Sequence, residues 1–254
     1  MYDDIVDLRD FYASRLGQMA RRMVRRKLRT LWPDIRGQSL LGIGYTTPYL
    51  RPFMDEASRV VALMPAGQGV MHWPREGPNV TVLSEESDIP LPDASMDRVL
   101  MVHGLEGSEQ LRPMLAEIWR VMAGNGRLLV VVPHRRSLWT MRDSTPFGHG
   151  QPYSGTQISR LLRDAQFTPV ERAGALYAPP LRSRLLLRSA MTLETLGERW
   201  FPQMSGVVLI EATKQVYAMT GRREPKRRRL LIPMPQPATQ GAPAGARPAF
   251  REEG

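Results

Sequence analysis

Within Arg127 to Val132, RLLVVV, every residue after the arginine is apolar, so neither alternating face of a strand built from it offers a side to water. A strand of that kind must be covered on both faces, which places it at the centre of a parallel sheet wrapped by helices. Four more runs of strand length precede it, at Ser39–Ile43, Arg59–Leu63, Asn79–Leu83 and Asp97–Val102. Helical stretches fall between them. Pro48–Glu56 opens on a proline, which suits a first helical turn, and Ser108–Met122 sets Leu111, Leu115, Ile118, Trp119 and Met122 on one face before the turn Gly124-Asn125-Gly126. Beyond Pro133 come a long Gly/Pro-rich loop, a helix at Ser154–Gln166, a strand at Thr168–Ala173, a helix at Arg182–Trp200 and a last strand at Gly206–Thr213. Strands alternating with helices predict an α/β fold.

Three regions are expected. Residues 1–36 hold an amphipathic helix, Asp10–Trp32, with Tyr12, Leu16, Met19, Met23, Val24, Leu28 and Leu31 on its apolar side and most of Arg21, Arg22, Arg25, Arg26, Lys27 and Arg29 on the other. Residues 37–220 form the main domain. Residues 221–254, rich in Gly, Pro and Ala with a second basic cluster at Arg222–Arg229, read as a disordered tail. The formal net charge of +10 gathers at these two ends, and implies at most a weak anionic partner, nucleic acid or a membrane surface. There is no cysteine, which removes disulfides, thiolate nucleophiles and iron–sulfur clusters and agrees with a reducing cytoplasm. No apolar run reaches the roughly 20 residues of a membrane-spanning helix.

The candidate site begins at Ser39–Leu50, SLLGIGYTTPYL. Gly42 and Gly44 end a strand where backbone can approach a ligand closely, as in nucleotide-type cofactor loops, although two glycines also serve as plain turn punctuation. The four histidines show no metal-site spacing. His103 ends the fourth strand, and His149 lies between two glycines in the long loop, where it is placed to touch a substrate. His72 and His134 read as structural or exposed.

Two segments carry a family resemblance. Ile89–Glu106, IPLPDASMDRVLMVHGLE, and Leu111–Pro133, LRPMLAEIWRVMAGNGRLLVVVP, resemble strands four and five of the class I S-adenosylmethionine (SAM) dependent methyltransferases, of the methyltransferase type 11 kind. The resemblance implies a Rossmann-like seven-stranded sheet with helices on both faces, a reversed last strand, SAM as cofactor and methyl transfer to an unknown acceptor. Carried over residue by residue, it implies cofactor contacts at Gly42, Gly44, Tyr45, Met64, Glu85, Glu86 and His103, with His103 and His149 on the acceptor side as catalytic candidates. The chain departs from the pattern in two places. The first loop lacks the family's acid and third glycine, and Met64 stands where a ribose-binding acid is usual, which together describe a divergent cofactor loop. Glu85 and Glu86 read equally well as turn residues facing water, and His103 as a strand-end histidine. The alternative function is an inactive methyltransferase-like scaffold acting through its basic ends.

Overall fold

The computed structural model describes residues 2–180 and 189–214. They belong to one compact unit, Met1–Val216; the second unit, Tyr217–Gly254, lies outside the described residues. The tail, its basic cluster and the start of the helix expected from Arg182 therefore also lie outside them.

Seven strands form one sheet: β1 Ser39–Gly44, β2 Arg59–Pro65, β3 Thr81–Ser84, β4 Met96–Val102, β5 Met122–Pro133, β6 Phe167–Ala175 and β7 Val207–Lys214. Their order is β3-β2-β1-β4-β5-β7-β6, parallel from β3 to β5, with β7 antiparallel to both neighbours. The central run at β5 behaves as its composition requires. Leu128, Val130 and Val132 enter one buried cluster with α4 (Leu111–Val121) and α5 (Gly155–Asp164), while Leu129 and Val131 enter the cluster on the opposite face. That is the two-residue period of a strand covered on both sides.

The N-terminal region departs from the single helix expected. It makes two, α1 Ile5–Ala13 and α2 Arg15–Leu31, because Ser14 takes an extended conformation and its hydroxyl accepts a hydrogen bond from Gly17 N at 3.1 Å. Serine at such a position satisfies a free N–H of the following helix better than it serves a helix interior. Gly17 also lets α2 close on α1, since a Cβ there would lie 2.0 Å from the Phe11 carbonyl oxygen. Nor are the basic residues of α2 all solvated. Arg22 and Arg26 are exposed, but Lys27 pairs with Glu198 and Arg29 with Glu56. At the far end of α2, Trp32 donates to the buried Glu211 of β7 at 2.9 Å, and Arg98 and Arg127 also pair with that carboxylate. The helix is thereby fastened across β7.

Other boundaries move for local reasons. The Gly124-Asn125-Gly126 turn lies inside β5, where the register to β4 slips between Met96 and Arg98. The helix after β1 is one turn, α3 Thr47–Leu50, running into a 3-10 turn at Arg51–Phe53. A capping box between Ser154 and Gln157 starts α5. The last described helix, α6, spans Ala190–Trp200. No helix among the described residues is long and apolar enough to cross a membrane.

Candidate functional site

Open α/β sheets bind ligands beyond the carboxyl ends of their strands, and in this chain β1, β2 and β4 end around one crevice. Gly44, at the end of β1, has φ +82°, and a Cβ on it would lie 2.5 Å from the Val102 carbonyl oxygen and 2.9 Å from that of His103. A Cβ on Gly42 would lie 2.2 Å from Thr46 Oγ1. Both glycines are thus required by the chain's own packing, of β1 on β4 and of α3 on β1.

His103 follows β4 with φ +51° and is buried. Its Nδ1 lies 3.1 Å from Glu106 Oε1 and its Nε2 2.8 Å from the Tyr12 hydroxyl, which is itself 2.8 Å from the Tyr49 hydroxyl. With Nδ1 donating to the Glu106 carboxylate oxygen, Nε2 is left to accept the Tyr12 O–H. Burial holds the Tyr12 hydroxyl well above its ordinary pKa, which keeps that proton in place. His103 is therefore held by a carboxylate on one ring nitrogen and covered on the other by a tyrosine of α1.

Met64 is fully buried in the core beside α2 and offers no acceptor to the crevice. The first hydrogen-bonding side chain past β2 is Gln68, in the loop Gly67-Gln68-Gly69; its Nε2 donates to the His103 carbonyl at 2.9 Å. Among the described residues, Gln68 Oε1 and Glu106 Oε2 are buried without hydrogen-bond partners. Neither residue stood out in the sequence. The available signals were position alone: Gln68 between two glycines after a strand, Glu106 three residues beyond His103.

The acidic turn after β3 divides. Glu85 is exposed, whereas Glu86 is buried, takes the Gln110 N–H at 2.6 Å on Oε1 and the Tyr2 hydroxyl on Oε2. The Tyr2 ring sits between two glycines of different loops. A Cβ on Gly107 would come within 2.7 Å of it and one on Gly67 within 3.3 Å. Next to it, Asp3 Oδ1 lies 2.7 Å from His149 Nδ1, while His149 Nε2 donates to the Asp143 carbonyl at 2.7 Å. Burial pushes the His149 imidazole down, but the Asp3 carboxylate and the Asp143 carbonyl outweigh it and hold the pKa above its ordinary value. His149 thus binds the N-terminal segment to the rim. The free space left among Tyr2, Asp3, His103, Glu106 and His149 is about 10 Å³. Tyr45, also buried, stacks on Tyr12 with ring centroids 5.5 Å apart.

The sheet order, the reversed β7 and a crevice bounded by Gly44, His103 and the turn after β3 define the class I methyltransferase fold. Residues 41–130 match the methyltransferase domain family. Two curated relatives from Mycobacterium tuberculosis strains, each named "Probable S-adenosylmethionine-dependent methyltransferase", are 28% identical to it over 166 residues, covering 62% of this chain and 60% of theirs. The chain thus spans about 60% of the length of the curated relatives it matches. Among solved structures, the fold is shared with a SAM-dependent methyltransferase from Thermotoga maritima, titled a possible histamine N-methyltransferase (TM-score 0.57, 16% identity, 82% of this chain and 94% of that one). It is shared also with a chain from the complex of the Haloferax volcanii Trm112 methyltransferase activator and the putative methyltransferase (TM-score 0.59, 18% identity, 85% and 100%).

Proposed function

We propose that the protein is a cytoplasmic SAM-dependent methyltransferase whose cofactor crevice is closed by its own residues 2–4. The carrying observation is the Tyr2 slot. A flat ring lies between Gly67 and Gly107 with its polar edge on Glu86, and unpaired acceptors, Gln68 Oε1 and Glu106 Oε2, are buried close by. Those features suit a cofactor with a planar base and hydroxyl groups. Glu86 and the two glycines would hold the base, with Gln68 and Glu106 as acceptors for the hydroxyls. Bound SAM supplies a methyl group on a sulfonium, so the protein's part is to exclude water, align the acceptor and take a proton where the nucleophile carries one. His103, oriented by Glu106, is the base proposed for that proton, and release of Tyr12 would uncover its Nε2. His149 is assigned to holding the N-terminal segment, and Glu85 to the solvent side of the turn.

The same closure favours a second reading, the inactive scaffold, in which Tyr2 fills the slot permanently. Calorimetric titration with SAM and S-adenosylhomocysteine separates the two. Saturable heat in the wild type, strengthened in Tyr2→Gly, supports the enzyme. Silence from both proteins at millimolar SAM sinks it.

A further inference from the structure

A second recess opens at the other half of the sheet, beyond the ends of β5 and β6, with a volume of about 1110 Å³. That exceeds the roughly 300–1,000 Å³ usual for small-molecule sites. Its wall carries Lys27 from α2, Arg135 and Arg136 from the segment after β5, and Arg172 from β6, against two carboxylates, Glu171 and Glu198. Glu198 is already spent on Lys27. Arg135, Arg136 and Arg172 are exposed and meet no carboxylate among the described residues. Arg172 is placed against electrostatic preference: its guanidinium covers Gly155, where a Cβ would lie 2.0 Å from Arg172 Cζ, at the positive end of α5.

A buried base faces the same space. His134 is 5% exposed, and its Nδ1 donates to the Ser205 carbonyl at 3.2 Å, which leaves Nε2, with no partner among the described residues, as an acceptor on the recess. The opposite wall is stiff, because Glu194 of α6 accepts the N–H groups of Leu176 and Tyr177 at 2.8 and 2.7 Å. We propose that this recess binds a phosphate-bearing small molecule, its anion held by Arg135, Arg136 and Arg172 and its neighbouring hydroxyl or amine directed at His134 Nε2. Planar guanidinium forks match phosphate oxygens in pairs, and a helix N-terminus adds donors of the same sense.

His134 is also the reporter. Burial pushes its pKa down, and the charges of Arg172 and Arg136 push in the same direction. The other charged groups facing the recess are Lys27, Arg135, Glu171 and Glu198, and Tyr177 stays neutral with its pKa pushed up to about 12. An anion between the arginines must raise the His134 midpoint. The experiment follows the imidazole resonances by NMR without SAM, with inorganic pyrophosphate against chloride at constant ionic strength; His134→Gln assigns the signal and exposed His72 is the control. We expect a saturable upward shift at His134 alone, and about tenfold weaker binding in Arg135→Gln/Arg172→Gln. No saturable shift, equal movement of His72, or undiminished affinity in the double variant overturns the proposal. Movement with anionic phosphatidylglycerol vesicles but not with pyrophosphate overturns it in favour of a membrane surface. Because SAM is absent, failure here leaves the cofactor reading to its own titration.

Discussion

The two ends of the sheet's carboxyl edge are built in opposite ways. At β1, β2 and β4 the strands are all parallel, their loops carry glycines, and aromatic rings from the N-terminal segment fill the crevice to about 10 Å³. At β5, β7 and β6 the middle strand is reversed, and the recess there is polar, cationic and about 1110 Å³. The family match, residues 41–130, covers the closed end, whereas the recess residues His134 to Arg136 and Glu171 to Gly174 lie past it. If that contrast is functional, the two ends respond independently to mutation.

The largest effect is expected at Gly44. A side chain there combines positive φ with a clash against β4 backbone, so Gly44→Ala should cost about 3 kcal/mol. Gly37 also has positive φ but nothing within 4 Å of its Cβ position, and Gly37→Ala should cost only about 1 kcal/mol. Urea denaturation of both variants measures the difference, and equal losses would show that contact with β4 contributes nothing. Next comes Tyr2→Gly, expected to strengthen SAM binding about tenfold, equivalent to about 1.4 kcal/mol, by emptying the slot. Pyrophosphate binding in the recess should not change; if it does, the two ends are coupled.

Glu86→Gln weakens the Tyr2 and Gln110 contacts and should cost about 1–2 kcal/mol of stability. Exposed Glu85→Gln should stay within about 0.5 kcal/mol. A larger loss at Glu85 would return the structural role to the outer carboxylate. The smallest effect is the pH dependence of the strap. His149 gains a carboxylate partner and its folded pKa is raised, so the Asp3–His149 contact is fully present below the ordinary 6.5 and is lost as pH rises through the raised value. His149 is about half exposed, so solvent screening keeps the effect to a few tenths of a kcal/mol. SAM affinity should therefore rise slightly with pH across that window in the wild type and stay flat in His149→Gln. An opposite slope would mean that the contact does not hold the strap.

Much of the crevice could be read before folding. The strands that bound it announced themselves as apolar runs, and Gly44, Glu86 and His103 all stand at its edge. What could not be read is which partner each would meet. Gln68 and Glu106 carry no periodic or motif signal, and Tyr2 and Tyr12 reach the crevice only because Ser14 breaks the N-terminal helix in two. His134 reads as one more histidine beside a proline. Its neighbours Lys27 and Arg172 are far away along the chain.

By itself the sequence determined the α/β class and the covered central strand, because these follow from the period of buried residues along short segments, and that period is a local property; the reversed last strand came only as an implication of the family resemblance. Only the tertiary structure decided that the crevice is closed and the recess open. Closure depends on Tyr2 meeting Glu86 and Asp3 meeting His149, contacts spanning 84 and 146 residues of chain. The recess depends on how β7 inserts between β5 and β6, and such pairings are set by the packing of the whole sheet rather than by any one stretch of it.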